Sequence, residues 1–323
     1  MRVLHLSNTP LSNAPANTVA ALNAIGHQAE LFLDRQQNTN KVFVGGQLWY
    51  QTPPGALEQA FVSADVIHFH NFAFEQKIFK SEIGPRLESI AKSKPCLIQY
   101  HSPRHSTESF EVTTKDPFFD GRRAVLAQYH VRFYPEATHV LPNILPINDK
   151  QYTPILAKWD TDSCLVSFAP SNTNLRGWDD KGYDFIAPVL TKLEQSGIIT
   201  KDIIVNTPYQ ECLNRKRWAH IGIEELITGS YHLSFLEYMS AGCVTLHNMD
   251  ELTLNAMQTI VGEQGIEELP AIQANISNVS EIVTKLARYS GLADTGNQSR
   301  AWMEKFWNPD VLAAKLVKIY EEL

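Results

Sequence analysis

Charge is scarce in this 323-residue chain: Asp, Glu, Lys and Arg make up 20% of it, and the formal net charge is −7. With acidic side chains in excess there is no basic field to hold nucleic acid or an anionic membrane, and neither is expected as a partner. Cysteine is as scarce. Cys96, Cys164, Cys212 and Cys243 stand far apart and mostly inside apolar runs, so they read as reduced core residues, not as a disulfide frame or a zinc site. No run approaches the roughly 18 consecutive apolar residues of a membrane span. The opening MRVLHLSN is a strand start without the apolar core of a signal peptide. The expectation is a cytoplasmic protein with no transmembrane segment and no bound cofactor. Glycine is missing from the first loop, NTPLSNAPAN, residues 8–17.

Apolar residues are plentiful, at 44%, enough for more than one core at this length. Short aliphatic runs alternate with helix-length amphipathic ones, the pattern of parallel sheets covered by helices on both faces. Strands are read at 3–6, 29–34, 65–70, 96–101 and 138–141, with helices over 16–25, 75–91 and 122–134. Residues 147–163 show no periodicity, contain Pro154 and the acidic Asp160 and Asp162, and read as a linker. A second wound half follows, with strands at 164–169, 202–206, 220–224 and 243–247 and helices over 183–195, 212–218 and 231–241. The tail from Ser299 holds two helices broken at Asn308-Pro309. The division expected is 1–146, 147–163 as linker, 164–300, and 301–323 packing back on the first domain.

The organising stretch is LITGSYHLSFLEYMSAGCVTLHNMD, residues 226–250. It reads as a loop, a helix, a stop at Gly242 and a buried strand, with Glu237 beside the apolar face of the helix. A carboxylate buried there costs several kcal/mol unless it is hydrogen-bonded. Two vicinal hydroxyls, as on a ribose, would satisfy both oxygens; so would backbone amides, or a side chain that reaches solvent. A second stretch, PSNTNLRGWDDKGYDFI (170–186), follows a strand and opens a helix. Gly177 and Gly182 let backbone amides approach an anion there, and Arg176 and Lys181 supply charge. The alternative is a solvated loop with two cations.

At the carboxyl ends of the first half's strands stand Asn8, His70-Asn71, His101 and Pro142-Asn143, where ligands of such sheets bind. His68 and His70 alternate, so a strand points both to one face. Two imidazoles suit a metal, but no third ligand is evident near them and no metal site is assigned. Asn13 and Asn17 can hold a substrate by their side chains, or Asn13 can cap the following helix. Asp160-Thr161-Asp162 matches the D-x-D by which carboxylates hold a divalent cation against a diphosphate, but it sits in the linker. Tyr209, past a strand, can stack on a base.

The run TGSYHLSFLEYMSAGCVTL resembles the signature of GT-B glycosyltransferases of the family-4 type. Arg176 and Lys181, five apart and some sixty residues ahead of Glu237, are similar to that family's diphosphate-binding pair. The resemblance implies a GT-B fold, two Rossmann-like doubly wound domains facing a cleft with a C-terminal helix crossing back to the first. It also implies a retaining, metal-independent transfer of a sugar from a nucleotide-sugar donor to an acceptor that it does not name. On it, Arg176 and Lys181 stabilise the leaving diphosphate, Glu237 holds the ribose and His101 lines the sugar site. Gly177, Gly182, Tyr209, Gly229, Ser230, Tyr231, His232 and Leu233 line the donor, and Asn13, His70 and Asn71 face the acceptor. The chain departs from the pattern where Gly229 replaces a sugar-contacting Glu. That departure, with the glycine-free first loop, keeps open a non-catalytic nucleotide-sugar or glycan-binding protein, or a nucleotide-sugar epimerase of the same fold.

Overall fold

Alternating strands and helices build two parallel sheets in the computed structural model, which describes residues 1–35, 45–71, 73, 76–101, 122–126, 129–134, 137–170 and 181–323. For 122–126, 129 and 130 only the backbone is described. The described residues fall into two compact units. One comprises the described parts of Met1–Thr39, Phe43–Ile144 and Pro309–Leu323, and the other those of Leu145–Asn308. Residues 147–163 thus lie within the second unit.

In the first unit the described strands are β1 (Arg2–Ser7), β2 (Gln28–Leu33), β3 (Gln47–Leu48), β4 (Val66–His70), β5 (Cys96–Tyr100), β6 (Arg122–Leu126) and β7 (His139–Leu141). They pair in parallel in the order β3-β2-β1-β4-β5-β6-β7. The order reverses between β1 and β4, the switch point where the strand ends of wound sheets open a crevice. One sheet face is apolar: Leu4, Leu6, Ile67, Phe69 and Ile98 bury against Leu57 and Phe61 of α2 (Pro54–Ser63) and Leu87 and Ala91 of α3 (Gly84–Lys92). The other face is polar and equally buried, with His5, His68, His70 and Gln99 at alternate positions. α1 (Ala14–Ala24) packs on the last helix, α10 (Pro309–Glu321), which the first unit recruits from the end of the chain.

Two sequence expectations fail here. A helix over 122–134 is expected, yet 122–126 form β6, because the open ladder positions between β5 and β7 override a local sequence with no strand alternation. The helix expected over 75–91 begins only at Gly84. A Cβ there would lie 2.1 Å from the Phe79 carbonyl oxygen, so the chain folds back on itself, and Pro85 then opens α3.

In the second unit β8 (Leu165–Phe168), β9 (Thr200–Ile203), β10 (Ile221–Ile223), β11 (Val244–His247) and β12 (Ile272–Gln273) pair in parallel in the order β12-β11-β10-β8-β9. The switch point lies between β8 and β10. Val166, Phe168, Ile221, Ile223, Val244 and Leu246 pack against Ile186, Leu190 and Leu193 of α4 (Tyr183–Gln195). α5 (Tyr209–Trp218) and α6 (Leu233–Ser240) follow β9 and β10. The ring of Tyr238 in α6 presses on the sheet at Gly222, where a Cβ would meet it at 2.3 Å, and its hydroxyl reaches Ser167 at 2.9 Å. α7 (Glu251–Glu267), α8 (Val279–Leu286) and α9 (Leu292–Phe306) complete the unit. No helix among the described residues is long and apolar enough to cross a membrane.

Candidate functional site

α6 is buried from Ser234 to Ser240, so its polar residues must find partners inside the protein. Its C-terminal end closes on Gly242 (φ 65), and the buried Lys158 ammonium donates to the freed carbonyls of Ala241 (2.9 Å) and Gly242 (3.0 Å). Mid-helix, Glu237 accepts from the Tyr209 hydroxyl (2.8 Å) and from the Lys216 ammonium, which also donates to Ser234 Oγ (2.6 Å). Tyr152 completes the network, its hydroxyl 3.0 Å from that of Tyr209. Each Glu237 oxygen therefore already has a protein donor and keeps a second lone pair. Among the described residues its partners are side chains, not backbone amides. Burial, with the Glu237 charge beside it, pushes the Tyr209 phenol well above its ordinary value, so Tyr209 stays a donor.

At the switch point, Lys181 and Gly182 both have positive φ (53 and 87) where the chain enters α4. Lys181 is buried and donates to Glu224 Oε1 at 2.8 Å, just past β10. His232 Nδ1 lies 3.2 Å from the same oxygen. Burial works to raise the Glu224 carboxyl, but the charges of Lys181 and His232 and their hydrogen bonds outweigh it and hold it at about 2. The ion pair fixes Lys181 at the start of α4 and leaves two of its three ammonium protons free of Glu224.

Glu225, also buried, folds the next loop around itself. It accepts from the backbone N–H of Ile227 (2.6 Å), Thr228 (2.5 Å) and Ser230 (3.4 Å). Gly229 closes this loop at φ 79 with its carbonyl taken by the Asp250 N–H (3.0 Å) and the Thr253 hydroxyl (2.7 Å). A Cβ at Gly229 would stand 2.5 Å from Asp250 Oδ2. Tyr231 is fully buried between Phe235 and Trp307, and its hydroxyl has no hydrogen-bond partner among the described residues.

In the first unit a chain of imidazoles runs across the polar sheet face. His5 Nδ1 lies 3.0 Å from His70 Nε2, and His70 Nδ1 2.8 Å from His101 Nε2. Burial, with the charge His68 would carry, presses His101 down to about 3, so it is neutral near pH 7. Asn71 (φ 66) accepts the His101 backbone N–H at 2.8 Å, locking the two strand ends together. In the first loop Leu11, Ser12 and Asn13 all take positive φ (45, 54 and 69). Three successive side-chain-bearing residues in that region store backbone strain of the kind found at ligand clamps. Asn13 stands at the cap position of α1 but makes no side-chain cap bond. Its Oδ1, Asn8 Oδ1 and Asn17 Nδ2 are buried without partners among the described residues.

The fold has well-covered counterparts among solved structures. The catalytic domain of starch synthase IV from Arabidopsis thaliana, bound to ADP and acarbose, aligns over 100% of this chain and 99% of its own at TM-score 0.61 and 10% identity. Sucrose-phosphate synthase from Thermosynechococcus elongatus aligns over 100% and 99% at TM-score 0.57 and 11% identity. WaaG, a glycosyltransferase involved in lipopolysaccharide biosynthesis, aligns over 98% and 99% at TM-score 0.50 and 11% identity. The chain has the GT-B glycosyltransferase fold. No family model and no curated protein matches its sequence.

Of the residues expected at a GT-B donor site, Lys181, Gly182, Tyr209, Gly229, Ser230, Tyr231, His232, Leu233 and Glu237 all belong to the second unit, at or near the carboxyl edge of its sheet. Arg176 and Gly177 lie outside the described residues. His70, Asn71, His101 and Asn13 belong to the first unit, at the carboxyl ends of β4 and β5 and in the loop after β1. Sequence reading missed Lys216, Glu224, Glu225 and His5. The adjacent Glu224-Glu225 after a strand was a usable signal, since two carboxylates ending an apolar run need partners. His5 had none: only the β1–β4 register, His5 opposite His68, reveals it.

Proposed function

We propose that the protein is a retaining glycosyltransferase that moves a sugar from a nucleotide-sugar donor to an acceptor saccharide, protein or small molecule, with no metal ion at the donor diphosphate. The observation that carries the reading is the Lys181–Glu224 pair at the β8/β10 switch point, a buried cation held at 2.8 Å where wound sheets bind ligands. With Arg176 five residues before it, Lys181 stabilises the charge that develops on the leaving diphosphate. Amides at the start of α4 face the same anion.

The ribose binds Glu237, one hydroxyl taking the place of Tyr209 while Lys216 stays paired with the carboxylate. Tyr231, whose hydroxyl has no partner among the described residues, and the loop from Gly229 to Leu233 line the donor. His101, neutral and aligned by His70, orients the transferred sugar, and Asn13 in the first loop with His70 and Asn71 at the end of β4 take the acceptor. In this reading the donor phosphate accepts the acceptor's proton, so no side-chain nucleophile is needed.

One observation favours the binding-protein alternative: Gly229 stands against Asp250 with no room for the sugar-contacting Glu of the family-4 pattern. The two readings separate on turnover. With donor and a panel of acceptor glycans, the transferase forms product with the donor's anomeric configuration, read by the anomeric proton coupling. Inverted product refutes retention, and donor binding without product or hydrolysis supports the alternative.

A further inference from the structure

The polar face of the first sheet carries three histidines that the transfer reaction leaves without a shared purpose. His5 on β1 and His68 on β4 are register partners, and His70 follows two residues on. All three are fully buried, with ring centroids 4.4 Å apart for His68 and His70, 4.8 Å for His5 and His68, and 5.3 Å for His5 and His70. Taking one ring nitrogen from each, the three atoms lie within 4.8 Å of one another.

Hydrogen bonding among the described residues does not fully account for them, although the Gln99 side chain also bonds the His68 ring. His70 satisfies both nitrogens, through His5 and His101, and His68 Nδ1 meets the Tyr320 hydroxyl at 2.7 Å. His5 Nε2 and His68 Nε2 remain buried with no partner among the described residues. A buried polar atom left unsatisfied forfeits its hydration without a replacement. Two in contacting rings mark a place where something else binds.

We propose that His5, His68 and His70 form a binding site for one divalent first-row transition-metal ion, of which Zn2+ is the type. Three imidazoles select such an ion over Mg2+ or Ca2+, which need oxygen ligands. Zn–N bonds of about 2.0–2.1 Å put tetrahedral ligand nitrogens about 3.3 Å apart, which modest ring rotations reach. Three protein ligands leave the fourth position for water. The surroundings are those of a ligand set: Tyr320 on His68 Nδ1 and His101 on His70 Nδ1 fix ring orientation, His68 Nε2 faces the metal, and His70 Nε2 reaches it by exchanging its contact with His5 Nδ1 for the ion. Burial holds all three imidazoles neutral, the form that ligates. The site goes beyond the proposed transferase activity and does not depend on it.

The test is a titration of the full chain, dialysed free of metal, with Zn2+ by calorimetry and with Co2+ by visible absorption. The expected result is one equivalent bound, a raised Tm, and the visible bands of four-coordinate Co2+. Tyr320→Phe, which removes only the outer partner, weakens binding about 10–100-fold. His5→Gln and His68→Gln abolish the saturable equivalent, whereas His27→Gln, on the same unit, retains it. Absence of a stoichiometric Zn2+ or Co2+ complex in the wild-type chain overturns the proposal whatever the variants do. So does binding of equal affinity in folded His5→Gln, His68→Gln and wild type.

Discussion

Lys216 and Glu237 form an ion pair buried inside the second unit, with Tyr209 and Ser234 completing their hydrogen bonds. The pair joins α5 to the middle of α6, the helix that follows the loop at Gly229. Glu237 thus has a structural partner as well as a proposed ligand, and the two roles make separable demands.

Removing one partner leaves the other charged and buried, at a cost of about 3–5 kcal/mol. Lys216→Met is expected to lower stability by that much in urea unfolding, and Glu237→Gln by less, because the amide still accepts from Tyr209. If Glu237 also holds the ribose, Glu237→Gln weakens nucleotide binding at a temperature where the variant remains folded. A folded Glu237→Gln with wild-type nucleotide affinity confines the residue to its structural role.

Arg176 and Lys181 are proposed as preorganised cations, each contributing about 2–4 kcal/mol in the transition state. Arg176→Ala and Lys181→Ala should therefore lower kcat by about 30- to 1,000-fold. Lys181→Ala also strips Glu224 of its strongest partner, so its stability falls as well. Full turnover in either variant would remove that residue from the mechanism.

How far the sequence reached divides along one line. Glu237, Lys181 and Gly229 were legible because each breaks a local rule: a carboxylate on an apolar helix face, a cation at a helix entrance, a glycine in a turn. Their partners were not, because Lys216 lies 21 residues from Glu237 and Glu224 lies 43 from Lys181, separations that only the sheet order closes. The wound architecture was readable from alternation, and the strand β6 was not, since its pairing is supplied by its neighbours and not by its own residues. His5 looked like any polar residue in a first strand until β1 was placed beside β4.

The Glu224 carboxyl, held at about 2 against an ordinary 4.5, makes the second unit acid-sensitive. Because the folded value lies below the unfolded one, the contribution is complete above pH 4.5 and is lost as pH falls from there towards 2. The size is about 3 kcal/mol. Glu224→Gln should be less stable near neutrality, with Lys181 left unpaired, and its unfolding free energy should fall less steeply over that interval. A slope equal to wild type would mean that Glu224 does not carry this acid sensitivity.

Gly229 combines a left-handed φ of 79 with an approach that would put a Cβ 2.5 Å from Asp250. Gly229→Ala is expected to destabilise by about 1–3 kcal/mol, read as a lowered Tm. Gly229→Glu should behave no better and should not raise turnover, since the position cannot present a side chain to a sugar. Unchanged stability in Gly229→Ala would show that the loop relaxes away from Asp250.

In the proposed function the second unit binds a nucleotide sugar through Lys181, Arg176 and Glu237. The most direct measurement mixes the purified chain with a panel of nucleotide sugars in EDTA and follows thermal shift and free nucleotide together. The expected result is stabilisation by one donor or a small set of donors, slow release of its nucleotide despite the chelator, and loss of both in Lys181→Ala. If no nucleotide sugar raises the Tm, the assignment of these three residues is wrong.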